Sequence, residues 1–138
     1  MDTRISKFIA NNKLLTLSVI DDTYDDICVY TASCYYVFCV ETLKLIFKSS
    51  VDSKHIKLAK KFPKCGVNIA KDGALKTLQG VQIKAHFKHA TTEQKALYYK
   101  TFPYAKLGEG EVFSLEILWA KYTDNSLFLG KKLEYTKE

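Results

Sequence analysis

The chain has 138 residues, 47% of them hydrophobic and 13% aromatic, enough apolar surface to build a core and too much for a disordered segment. Lys and Arg number 21 against 15 Asp and Glu, a net charge of +6, and the excess is local: Lys44, Lys48, Lys54, Lys57, Lys60, Lys61 and Lys64 crowd one region. That region is a candidate anion site; a solvated lysine face is the plainer reading, and a duplex-binding surface is disfavoured against it.

Ile5, Phe8 and Ile9 fall at helical spacing after Asp2 and Thr3, which can cap, so residues 3 to 11 predict a short amphipathic helix. The opening MDTRISKFIANNK lacks the charged lead and continuous apolar core of a signal peptide. LLTLSVI, residues 14 to 20, is a compact apolar run, and the charged turn DDTYDD joins it to ICVYTA as a hairpin. The longest apolar run, ICVYTASCYYVFCV, is too short and too hydroxylated to span a bilayer, and the expectation is a cytoplasmic protein. Cys28, Cys34, Cys39 and Cys65 show no C-x-x-C or zinc-ligand spacing and lie within apolar runs, so they read as buried thiols of a reducing compartment.

TLKLIFK, residues 42 to 48, alternates Leu43, Leu45 and Phe47 against Thr42, Lys44 and Lys48, with Ile46 as the exception, and predicts a strand with one face in the core. From Ser53 the period changes: Ile56, Ala59 and Phe62 share one side of a helix that Pro63 closes. CGVNIAK and LKTLQGVQIKAHFKHA predict two further strands. Thr91 and Gln94 form a capping box for a helix that runs to Phe102 and stops at Pro103. LGEGE, residues 107 to 111, reads as a flexible turn, and VFSLEILWAKY with SLFLGKKLEY as a last antiparallel pair joined by TDN. Six or seven strands with helices inserted between some of them imply a mainly β fold, an antiparallel barrel with peripheral helices, in one domain over residues 1–138.

The stretch FKSSVDSKHIKLAKK carries the most chemistry. If Ser53 begins the helix, its first free N–H groups face outward together with Ser49, Ser50, Ser53 and Lys54, a set suited to a phosphate. Equally, Asp52 or Ser53 merely caps the helix. His86 and His89 point to opposite faces of a strand and cannot jointly grip a metal without a bend, so no metal site is expected. Asp21, Asp22, Asp25 and Asp26 look like a solvated turn, and no serine, histidine and acid set can be ordered for hydrolysis. Tyr35, Tyr36, Phe38 and Trp119 could floor a pocket for a planar ring, with core packing as the default.

The order of helix, strand hairpin, strand, S-x-x-x-S-K, short helix, proline, strand and L-x-G-V-Q-I-K resembles the pyridoxamine-phosphate oxidase-like flavin split barrels. GVQIKAHFKHATTEQ, FPYAK and KYTDNSLFLGKKLEY are similar to the YhbP-like bacterial branch. The resemblance implies a six-stranded antiparallel split β-barrel, a homodimer, and FMN at the dimer interface. It places Lys48, Ser49, Ser53, Lys54 and His55 on the oxidase's phosphate-contacting run and Gln79 on its R-Q-V-R-I run; Ser50 is added from the residues themselves. The oxidase's upstream R-x-x-x-L-K run has no counterpart in ICVYTASCYYVFCV, and its terminal substrate-binding pattern is not recognisable. Lys131 and Lys132 match the branch's G-K-K run, as a partner or substrate contact or as a solvated strand end.

The implied function is an FMN-dependent oxidoreductase or flavin reductase whose substrate the residues do not specify. One alternative is a haem-binding or haem-degrading barrel, for which His55, His86 and His89 are the available axial ligands. Another is a cofactor-free module that offers its basic face to an acidic partner.

Overall fold

Alternation at every second residue puts Leu15, Leu17 and Val19 of β1 (Leu14–Asp21) on one face, and all three are buried in the computed structural model of the chain, which describes residues 1–126 and 132–138. β1 runs antiparallel to β2 (Cys28–Cys39), from Leu14 opposite Tyr35 to Asp21 opposite Cys28. The sheet continues through β3 (Lys44–Ser49), β4 (Lys64–Lys71), β5 (Gln79–His89), β6 (Glu111–Asp124) and β7 (Lys132–Thr136) in the order β3-β2-β1-β4-β5-β6-β7. β3 also pairs with β6, so the first six strands of that order close into an antiparallel barrel, the expected split barrel.

One edge of β6 is divided between two neighbours: residues 111–116 pair with β3 and residues 119–123 with β7. Its other edge carries β5, with a bulge that leaves Leu118 unpaired between Ile117 and Trp119 and bends the strand. Inside, Leu45 and Phe47 of β3 meet Val67, Ile83, Phe87, Phe113 and Leu115 in one core.

Helix α1 (Thr3–Ala10) starts where the Asp2 carboxylate accepts the Arg4 N–H at 2.8 Å, and it buries Ile5, Phe8 and Ile9 in the same core. Helix α2 (Lys54–Lys61) connects β3 to β4 and buries Ile56, Leu58 and Ala59. Helix α3 (Thr92–Thr101) has the predicted capping box: Gln94 N–H donates to Thr91 Oγ1 at 3.2 Å and Thr91 N–H to Gln94 Oε1 at 2.9 Å. It lies outside the barrel, where Tyr98 packs with Ile46 and Val112 in a second small core. This explains the break in the β3 alternation: Ile46 points outward yet is covered by α3.

The structure corrects several boundaries. Leu43 is no strand residue; it takes a left-handed turn at φ 52 between β2 and β3, so β3 begins at Lys44. A short 3-10 turn at Leu75–Thr77 precedes β5, which starts at Gln79. The apolar run after Ile27 is a single strand as far as Cys39. Cys34 and Cys65 are buried, but Cys28 is exposed and Cys39 half-buried, because Cys28 opens β2 where that strand has solvent on both faces. Lys131 lies outside the described residues; Lys132 opens β7, exposed, opposite Thr123. Among the described residues no helix is long and apolar enough to cross a membrane.

Tyr36 ties α1 to the barrel, since its buried hydroxyl donates to the Ile9 carbonyl at 2.6 Å. Tyr36→Phe is expected to lower stability by about 1 kcal/mol, the ordinary worth of one such bond, measured as a lower urea midpoint at unchanged slope.

Candidate functional site

β3 ends at Ser49, and the chain then turns through residues 50–53 into α2. Ser49 Oγ and His55 Nε2 are 2.6 Å apart, a hydrogen bond whose donor is set by the imidazole tautomer. Burial lowers the His55 pKa, favouring the neutral ring. Ser53 occupies the N-cap position but does not cap: its hydroxyl donates back to Ser50 O at 2.6 Å. Asp52 does not cap either, and its own N–H donates to Ser50 Oγ at 3.3 Å. The first turn of α2 therefore keeps its N–H groups, and their partial positive charge, for solvent or an anion. Ser49, Ser50, Ser53, Lys54 and His55 thus come together at one junction beside the uncapped start of α2, with the Ser53 hydroxyl committed to the Ser50 carbonyl.

Lys54 is held in place. Its Nζ lies 3.0 Å from Asp21 Oδ2 at the end of β1, and 5.8 and 5.0 Å from the ring centroids of Tyr24 and Tyr30. Asp21 had read as part of a solvated turn; it is 5% exposed, and its Oδ1 takes the Thr23 N–H at 2.9 Å and the Thr23 hydroxyl. Those bonds, with Lys54, lower its pKa to about 2. Lys61 pairs with Asp22, so the acidic turn takes up charge from two lysines of the basic region.

Two further predicted residues lie elsewhere. Lys48 points to the opposite face of β3, where its Nζ donates to the carbonyls of Ala105 and Gly108 and sits 5.1 Å from the Tyr99 ring centroid. Gln79 registers with Asp124 while Ser49 registers with Glu111, so the two occupy opposite ends of β6, on the order of 40 Å apart along a fully extended strand. His86 is half-buried opposite Glu116, and His89 is exposed with Nδ1 3.7 Å from a Glu111 carboxylate oxygen. The aromatic residues do not share a pocket. Tyr36 is core, Phe38 packs against the core, Trp119 lies beneath Lys84, and Tyr35 opens onto an apolar cleft of about 490 Å³ walled by Tyr98, Phe102 and Tyr104.

Gly110 is the residue that pattern reading missed, having placed it in a flexible turn. Its φ is 114°, and a Cβ there would lie 2.8 Å from Ser49 O, so only glycine lets the start of β6 approach the end of β3 this closely. Gly110→Ala is expected to cost about 1–3 kcal/mol and to shift the Ser49 and His55 resonances, read by urea denaturation and NMR. Asp21, with its pKa lowered to about 2 from an unfolded value near 3.9, stabilises the fold above about pH 4, and this contribution fades as pH falls toward 2. The stability gap between the native chain and Asp21→Asn should therefore narrow between pH 5 and pH 2; a constant gap would contradict the assignment.

No protein-family model matches the chain. Among solved structures, the heme binding protein of Mycobacterium smegmatis superposes with a TM-score of 0.74 at 14% identity, covering 93% of this chain and 54% of that one. A fad-binding protein of Mesorhizobium loti gives 0.71 at 14% identity over 87% and 91%. A Clostridium acetobutylicum protein described as of the pyridoxinephosphate oxidase family gives 0.71 at 10% identity over 97% and 92%. At such identities the likeness is one of fold. A UPF0306 protein of Campylobacter jejuni subsp. jejuni serotype O:6 is 43% identical over 139 residues, spanning 100% of both chains, and the present chain belongs to the UPF0306 family.

Proposed function

We propose that the chain binds FMN and acts as a flavin-dependent oxidoreductase related to pyridoxamine-phosphate oxidase, in the YhbP-like branch of that superfamily, on a substrate its residues do not specify. The carrying observation is the junction of β3 and α2, where three serines and Lys54 surround a helix N-terminus that neither Ser53 nor Asp52 caps. Support comes from neighbours of the same fold, one a fad-binding protein and one described as of the pyridoxinephosphate oxidase family. When bound, a flavin supplies hydride or electron transfer; the chain's own part is to anchor the phosphate and orient the ring. Because Asp21 already neutralises part of the Lys54 charge and the Ser53 hydroxyl donates to the Ser50 carbonyl, the hydroxyls of Ser49 and Ser50 and the α2 N–H groups carry much of the phosphate contact.

Beside Lys54 the first half of β2 is open on both faces, and Ile27 and Val29 are 77% and 74% exposed. A second copy covering this strip would give a homodimer with the flavin ring at the interface. Gln79 lies too far along β6 to reach the same phosphate within one chain and enters this reading only through that second copy. The four free cysteines accord with a cytoplasmic setting.

A second reading, haem, draws on the Mycobacterium smegmatis neighbour named as heme binding. Its ligand would be His55, His86 or His89, of which His55 already shares Nε2 with Ser49.

Absorption spectra of the purified chain, alone and titrated with FMN and then haem, separate the readings. A protein-bound flavin band with a dimer by size exclusion is the expected result. A Soret band abolished by replacing one histidine would install haem in its place. Binding of neither, with salt-sensitive capture of an acidic partner, would leave a cofactor-free module. Ser49→Ala, which spares the Asp21 and Lys54 pair, together with Ser49→Ala/Lys54→Ala, is expected to weaken FMN binding by about 10- to 100-fold for the double variant, in line with charge-assisted bonds. Unchanged affinity in a folded double variant would remove the phosphate from this junction.

A further inference from the structure

A second concentration of positive charge lies at the far end of β6 from Ser49. There a cavity of about 300 Å³ is lined by Arg4 and Lys7 of α1 and by Lys71, the last residue of β4. Its floor is apolar: Phe8 and the buried Tyr122 pack with ring centroids 5.2 Å apart. Amides complete the rim, from Asn11 and Asn12 after α1 and from Gln79, which faces Lys71 across the β4–β5 ladder.

The three cations are not alike. Arg4, the chain's single arginine, is fixed by Asp2 through Nε at 3.1 Å and Nη2 at 3.0 Å, which presets the plane of its guanidinium. Lys7 and Lys71 form no ion pair with a described residue. Asp124, whose carboxylate takes the Tyr122 hydroxyl at 3.1 Å and Ser126 N–H at 2.8 Å, is buried and feels the charge of Lys71 without forming an ion pair with it. A lone surface lysine needs no ligand. Here two lysines and one oriented arginine, from α1 and the end of β4, converge on a concavity whose lining contains no acid.

We propose that this cavity binds a small phosphomonoester, with its phosphate between Arg4, Lys7 and Lys71 and its body against the Asn11, Asn12 and Gln79 amides. A dianion matches the surplus charge, and about 300 Å³ is at the lower limit for ligand pockets, which favours a compact metabolite over a flavin nucleotide. The site shares Gln79 with the flavin reading but does not rest on it.

The test titrates glycerol 3-phosphate into the full chain, following amide shifts by NMR and affinity by calorimetry. Saturable shifts at Arg4, Lys7, Lys71 and Gln79 are expected, with affinity lost at least tenfold in Lys7→Gln/Lys71→Gln and unchanged in Ser49→Ala. Lys7 and Lys71 are exposed, so the double variant should fold normally, which its circular dichroism checks. No saturable shift, or shifts confined to residues 49–55, would overturn the site. An equal response to sulfate and succinate would reduce it to an unselective basic rim and overturn the phosphomonoester. A fall in FMN affinity in Lys7→Gln/Lys71→Gln would assign the cavity to the flavin and overturn it as a separate site.

Discussion

Pairing between β3 and the first half of β6 turns a meandering sheet into a closed barrel, and it depends on a backbone approach that a side chain at Gly110 would block. Closure satisfies the edge groups of β3, which would otherwise stand open as a template for aggregation. It also aims the end of β3 at the start of α2. Leu45 and Phe47 face the interior while Ile46 and Lys48 face α3 and the turn behind it, so Ser49 follows in the interior-facing register and meets His55. The candidate phosphate site is thus a by-product of where the barrel shuts.

The same geometry explains which parts could be read from pattern. α1 and α3 announced themselves because their signals are local: an Asp cap with apolar residues at helical spacing, and a Thr and Gln capping box. The strands were legible wherever one face met the core and the other met water. β3 showed the same alternation, broken only at Ile46, where α3 covers the outer face. Leu43 looked like a strand residue because nothing in its side chain signals a left-handed turn.

The site was legible in its serines and obscured in its charges. DDTYDD has the composition of a solvated loop, yet Asp21 closes the buried register of β1 and is held there by Thr23 and Lys54. Lys48 sits within the same basic run, yet strand alternation sends it to the other face, where it holds carbonyls of the segment after α3. Gln79 matched a ligand-binding run in the resemblance, but register along β6 separates it from the serines by nearly the length of that strand. A motif fixes which residues are present; register decides which of them can touch one ligand.

Charge density along the chain is for this reason a poor guide to where an anion would settle. The lysines that crowd residues 44–64 are partly spent on Asp21, Asp22 and two backbone carbonyls, so the most basic stretch is less basic in space than in sequence. Lys71 is far from Arg4 and Lys7 in the chain, yet α1 and the end of β4 bring the three around one cavity. The field at a surface comes from charges left uncompensated after folding, so position in space, not density along the chain, decides where an anion is drawn. What the β3–α2 junction offers instead is directional: uncapped N–H groups beside serine hydroxyls in fixed positions, an arrangement that would discriminate an anion by shape as well as by charge.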